Sequence, residues 1–306
     1  MPLLPRLLRR VALALSLLLA AGTTGALTAA PAGAAATVPV VAAENFWGSV
    51  AAQLGGPAVR VTSIISNPNT DPHEYTADAA NALAVSRAAV VIQNGAGYDD
   101  FMSQLLGAAG HRGQRVVTVA SVLHVRGADP NPHLWYEVDA VPTVAAAIEA
   151  ALVRADPAGR AAFAARLRAF DASVAPIRAV LARIDRRYAG TPVAYTERVP
   201  GYTLAEAGLA NRTPADFASA IEDGNDPSAA ATEAMDQLLM DHKVRVLLYN
   251  TQTVSPVTSQ VRALARREGI GVVGVSETLP AGVRTWQRWQ LDQDRALLGA
   301  LARSRG

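Results

Sequence analysis

The sequence predicts an α/β protein: two lobes, each with a mostly parallel, roughly four-stranded sheet flanked by helices, joined by one long rigid helix. Three observations predict it. In both halves of the chain short apolar runs alternate with helical stretches, the pattern of βαβ units around a parallel sheet. Between the halves, Leu167, Phe170, Val174, Ile177, Leu181 and Ile184 recur at steps of three or four, the apolar stripe of one amphipathic helix. Half of the 306 residues are apolar and none is Cys, so the core must be large enough to hold without disulfides.

The start of the chain stands apart. Arg6, Arg9 and Arg10 precede an apolar run over 11–21, and a small-residue stretch with Ala30, Pro31, Ala32, Gly33 and Ala34 follows. A basic start, a short apolar middle and a small-residue end predict a secretory signal peptide over 1–35. The alternative is an uncleaved anchor, for which the run is short. Removing it takes away three Arg and no acid, so the formal net charge of +2 becomes −1 and no basic excess argues for nucleic acid. With no Cys to carry a lipid, the expectation is an exported protein in the periplasm or at the outer face of the cytoplasmic membrane, not a lipoprotein.

The first lobe, 36–156, is expected to contain strands at 38–41, 59–65, 88–93 and 116–119. Helices are expected at 45–54, 78–86, 98–106 and 141–154. Gly55-Gly56 stops the first helix and Asn67-Pro68-Asn69 the second strand. Residues 157–189 form the linking helix, begun by Asp156-Pro157. Its polar side, with Arg166, Arg168, Arg178, Arg183, Arg186 and Arg187, reads as a solvated face. The second lobe, 190–306, follows Gly190-Thr191-Pro192. It is expected to have strands at 193–195, 244–249 and 271–275 and helices at 214–222, 228–241, 254–268 and 285–303. No internal repeat is visible.

Only five His are present. His73 lies in Asp71-Pro72-His73-Glu74-Tyr75 and His133 in Asp129-Pro130-Asn131-Pro132-His133-Leu134-Trp135-Tyr136. Both fall in proline-stiffened loops beyond predicted strands, at the sheet edge where open α/β folds bind ligands. That placement suits a metal; on spacing alone the alternative is a pair of unrelated surface histidines. His111, His124 and His242 read as solvated. Asn94-Gly95-Ala96-Gly97 follows a strand but falls short of the dinucleotide fingerprint. There is no P-loop, no His-Glu-x-x-His and no Gly-x-Ser-x-Gly.

Five blocks occur in order: Val41-Ala42-Ala43-Glu44-Asn45-Phe46-Trp47-Gly48, Asp71-Pro72-His73-Glu74-Tyr75, Asn94-Gly95-Ala96-Gly97-Tyr98-Asp99, Asn131-Pro132-His133-Leu134-Trp135-Tyr136 and Glu277-Thr278-Leu279-Pro280. Together they resemble the zinc/manganese solute-binding proteins of bacterial ABC metal importers, over essentially the whole chain after the leader. The resemblance implies one divalent ion, Zn²⁺ or Mn²⁺ with Fe²⁺ as a third option, held between the lobes by two ligands from each. His73 and His133 match the family's first two ligands. Glu197 stands where the third, usually a His, lies five residues before a Tyr, here Tyr202. Glu277 matches the acid after the last strand. The His-rich loop of many zinc-specific members is missing between His111 and Asn131. Two imidazoles with two carboxylates make a harder donor set than three imidazoles with one, which suits Mn²⁺; intrinsic affinity still favours Zn²⁺.

Glu74, Asp71, Asn250 and Gln252 are expected to support the ligands by hydrogen bonds or by orienting their loops, Glu44 to lie near the same edge, and Trp135 to pack. The implied partners are an ABC permease and its ATPase, with no nucleic acid, and the protein is expected to be a monomer. Four protein ligands would close the coordination shell, whereas catalytic metal sites keep an open position. The expectation is therefore a carrier and not an enzyme, with one ion as transported ligand. The alternatives are an extracytoplasmic metal chaperone, a metal-binding adhesin and, least, a metallohydrolase. The linking helix predicts modest rearrangement on binding.

Overall fold

The computed structural model describes residues 37–68, 70, 72 and 75–303; the expected signal peptide lies outside them. The first sheet holds β1 (Val38–Glu44), β2 (Val59–Ile65), β3 (Val90–Gln93) and β4 (Arg115–Thr118), parallel throughout, in the order β2-β1-β3-β4. The second holds β5 (Pro192–Tyr195), β6 (Ala210–Asn211), β7 (Val246–Asn250) and β8 (Gly271–Val275), also parallel, in the order β6-β5-β7-β8. The two sheets thus share one topology without a visible sequence repeat. In each, the chain moves outward on one side of the first strand and then returns to its other side. This leaves a crevice at the carboxyl ends, between β1 and β3 and between β5 and β7.

Helices cover both faces. They are α1 (Asn45–Gly55), α2 (Ala79–Arg87), α3 (Asp100–Ala109), the single turn α4 (Val119–Val122) and α5 (Val141–Ala155) around the first sheet, then α6 (Arg160–Ser173) and α7 (Ala175–Tyr188) between the sheets. Around the second sheet follow α8 (Gly201–Glu206), α9 (Ala215–Glu222), α10 (Ala229–Met240), α11 (Pro256–Arg267) and α12 (Trp286–Arg303). Among the described residues no helix is long and apolar enough to cross a membrane.

Strand residues sort by alternation. Val38, Val40 and Ala42 of β1 enter the central core, while Val41 and Ala43 face α2 and α3. Val246 and Leu248 of β7 enter the same central core, and Leu247 faces α9–α11. Burial on both faces is what a parallel sheet requires. The central cluster runs unbroken from Val38 through Ile148, Ile184 and Val246 to Leu301, so the lobes share one core.

Besides the short elements β6 and α8, which the sequence reading lacks, three details differ from it. The helix expected over 160–188 is divided at Val174 into α6 and α7. Pro176 stands at the first turn of α7, where it has no N–H for the ladder and its ring crowds the preceding turn. The helix expected from 254 starts at Pro256, because Ser255 caps it: Ser255 Oγ accepts from Thr258 N at 3.2 Å, and Thr258 Oγ1 accepts from Ser255 N at 2.9 Å. Arg166 is not wholly solvated. Its guanidinium packs over Gly56, where a Cβ would stand 2.5 Å from Nε. The other five arginines of that face are exposed, and Arg178 pairs with Asp139 at 2.6 Å.

Candidate metal centre

His133 is fully buried at the entry to a single 3₁₀ turn, Leu134–Tyr136, whose side chains anchor the loop. Trp135 stacks on Phe46 with centroids 3.9 Å apart, and its carbonyl accepts from Trp286 Nε1 at 2.9 Å. The Tyr136 hydroxyl lies 2.7 Å from the Ser276 carbonyl, and burial holds it well above the usual phenol range. Trp135 packs, as its residue type suggested.

The His133 ring is oriented by Asn131. The backbone N–H of His133 donates to Asn131 Oδ1 at 3.1 Å, which fixes which way that amide points. The same oxygen lies 2.7 Å from His133 Nδ1, so Nδ1 donates to Asn131 and the ring is held with Nε2 on its far side. Nε2 in turn faces Glu277 Oε2 at 3.5 Å.

Glu197 follows β5 and Glu277 follows β8, both at carboxyl ends and both at most 1% exposed. Asn250, the last residue of β7, joins them: its Nδ2 donates to Glu197 Oε2 and to Glu277 Oε1, each at 2.7 Å. Its Oδ1 accepts from Gln252 N at 3.0 Å, which sets the amide in that sense. Tyr98 donates to Glu277 Oε2 at 2.8 Å. Asn250 and Tyr98 thus set the positions of two buried carboxyl groups.

Gln252 acts on main chain instead of on a carboxylate. Its Oε1 accepts from Glu277 N at 2.5 Å and Thr278 N at 3.0 Å, and its Nε2 donates to Thr70 O at 2.9 Å. It thereby ties the turn carrying Glu277 to the loop that leads towards His73. His73, Glu74 and Asp71 lie outside the described residues. Among the described residues, no three His, Cys, Asp or Glu side chains form a metal cluster by themselves; His133, Glu277 and Glu197 are linked in series, through the His133–Glu277 approach and the Asn250 bridge.

Glu44 ends β1 but is sealed in the interior, where burial and then the neighbouring Asp99 raise its carboxyl well above the usual range. Asp99 accepts from Asn94 N at 2.6 Å and Gly95 N at 2.7 Å. The Asn94–Gly97 turn thus has a positional use. Gly95, Ala96 and Gly97 all take positive φ, and Asn94 Nδ2 donates to Pro132 O at 2.8 Å, just before His133. His111, His124 and His242 are exposed. Sequence reasoning missed Tyr98 and Asn131 as partners of the ligands. An Asn between two prolines, two residues before a His, was the available signal for Asn131.

The profile of the family described as zinc-uptake complex component A, periplasmic, matches residues 40–297, from β1 into α12. A Treponema pallidum (strain Nichols) protein described as metal-binding is 25% identical over 260 residues, spanning 77% of this chain and 78% of that protein. Among solved structures, the Pseudomonas aeruginosa solute-binding protein FpvC in complex with Mn²⁺ superposes with a TM-score of 0.73 at 20% identity, over 87% of this chain and 98% of its own. The periplasmic zinc-binding protein TroA of Treponema pallidum gives 0.73 at 18% identity, over 87% of this chain and all of its own. At such identities the structures speak to the fold, and the profile match takes in both sheets together with His133, Glu197, Asn250 and Glu277: the chain belongs to the family of periplasmic zinc-uptake component A, the metal-binding solute-binding proteins.

Proposed function

We propose that this protein is the extracytoplasmic substrate-binding subunit of an ABC importer for a divalent transition metal, Zn²⁺ or Mn²⁺, with Fe²⁺ a third candidate. It binds one ion as cargo through His73, His133, Glu197 and Glu277, between a lobe over 36–156 and a lobe over 190–306, with 157–189 as the link. It then passes the ion to the permease and its ATPase. The observation that carries this reading is Asn250, whose one amide nitrogen lies 2.7 Å from each of two buried carboxylates. A hydrolase would need an open coordination position and a positioned base beyond the ligands; Asn250 and Tyr98, which donate to these carboxylates, are neither carboxylate nor imidazole bases. Related proteins have been solved with different ions, FpvC with Mn²⁺ and with Ni²⁺ and TroA named for zinc, in keeping with a donor set whose geometry leaves several ions admissible. Export without a lipid completes the reading, since the chain has no Cys.

The test is uptake. Cells lacking the gene, grown in metal-depleted medium, should accumulate less zinc or manganese. Wild type should restore accumulation and Glu197→Ala should not. Equal accumulation in all three strains contradicts the importer role.

A further inference from the structure

The loops that carry His133 and Glu197 are fastened to each other. Asn131 Nδ2 donates to Arg198 O at 2.9 Å, and Tyr202 donates to Asn131 O at 2.9 Å. Gly201 permits the approach: a Cβ there would stand 2.7 Å from Asn131 Nδ2. The Arg198 guanidinium then forks. Nε and Nη2 each donate to Glu222 of α9 at 2.9 Å. Nη1 and Nη2 donate to the two oxygens of Asp129 at 2.9 and 3.0 Å. The inner arm is enclosed, with the Glu222 side chain 4% exposed; the outer arm is at the surface, with Asp129 73% exposed.

We propose that Arg198 is a latch, a positioning residue that holds the ligand-bearing loops 129–133 and 197–202 together and sets how fast the bound ion leaves. This rests on the ion-binding reading above. For the ion to escape, the two loops have to part. The buried, bidentate arm on Glu222 keeps the guanidinium aimed while the outer arm opens. Besides the two hydrogen bonds of Asn131, opening therefore breaks one exposed pair, and reclosing needs no search by a long side chain. A latch with its breakable arm in solvent is weakened by salt. A structural pair buried on both sides would not respond in that way.

The test is ion release from the full chain after the leader, loaded with Zn²⁺ or Mn²⁺ and mixed with a chelating dye, for wild type, Asp129→Asn and Asp129→Glu. Asp129 is exposed, so these variants should fold with an unchanged melting midpoint. Asp129→Asn should still bind one ion but release it roughly two- to fivefold faster at low salt, the range an exposed pair supports. Wild-type release should quicken with added salt until the difference disappears, and Asp129→Glu should restore slow release. If wild type binds an ion and Asp129→Asn releases it at the wild-type rate, or faster only in step with a fall in melting midpoint, the latch is overturned and the binding site stands. If wild type takes up no ion, the binding reading fails and the latch with it.

Discussion

Asn250 meets two carboxylates with one nitrogen at 2.7 Å from each, and its own oxygen is committed to Gln252 N. Replacing it by Ala leaves Glu197 and Glu277 without the group that holds them side by side. Partners of this kind change metal affinity by about 10- to 100-fold. Asn250→Ala should therefore weaken ion binding by that order, read by competition with a chelator of known affinity. Unaltered affinity would mean that the carboxylates are positioned by something else. His133, Glu197 and Glu277, which the structure links in series, were singled out in the sequence because they stand at the positions of the family's ligands, Glu197 in place of the usual His. Asn131 and Tyr98 were not, since neutral donors are common in loops and no periodicity marks them. Glu44 was read only as far as its place on the chain. Its position at a strand end was legible, but the direction of its side chain, inward beside Asp99, depends on packing.

The shortest elements escaped sequence reading. β6 has two residues and α8 six, too few for either period to register. Yet α8 matters to the site, because it starts at Gly201 and carries Tyr202, both of which meet Asn131. It also carries Glu206, whose carboxyl is raised from 4.5 to about 7, first by burial and then by the charges of Asp139 and Glu137. The same side chain repels buried Asp294 of α12, itself raised well above the usual range, chiefly by burial. A carboxyl raised on folding binds its proton more tightly in the native state, so its contribution is present below the unfolded value of 4.5 and fades as pH rises to about 7. Glu206→Gln keeps an acceptor for Asp139 N and removes the titration. Its melting midpoint should gain on wild type as pH increases through that window. A constant difference between the two would show that Glu206 does not titrate there. The division at Pro176 was visible as a proline but outweighed by an apolar stripe that continues across it.

Across the whole molecule the two-lobe parallel architecture was legible from alternation alone, while the identity of the two topologies was not. Sheet order follows from how crossovers pack, and unrelated sequences satisfy it. What limits motion is the core the lobes share. α1 of the first lobe bonds directly to the last segment of the chain: Asn45 Oδ1 accepts from Leu279 N at 2.9 Å, Ser49 Oγ accepts from Trp286 N at 3.1 Å, and the amides of Gln53 and Gln287 exchange bonds at 3.0 Å. Phe46, Trp135 and Trp289 stack across the same junction. A wide hinge opening would expose these aromatic faces and break those bonds. Ion-free and ion-bound crystals should accordingly differ in the loops carrying His133, Glu197 and Glu277, with the lobes fixed; a large rigid-body rotation would contradict this.

The central claim is that four side chains from distant segments hold one ion. Metal content tests it most directly. The chain from residue 36 onward would be stripped, offered Mn²⁺, Fe²⁺ and Zn²⁺ in turn and assayed by mass spectrometry, with His73→Ala and Glu197→Ala alongside. One ion per chain in wild type, lost or sharply reduced in both variants, is the predicted result. No stoichiometric ion in wild type with any of the three metals would contradict it.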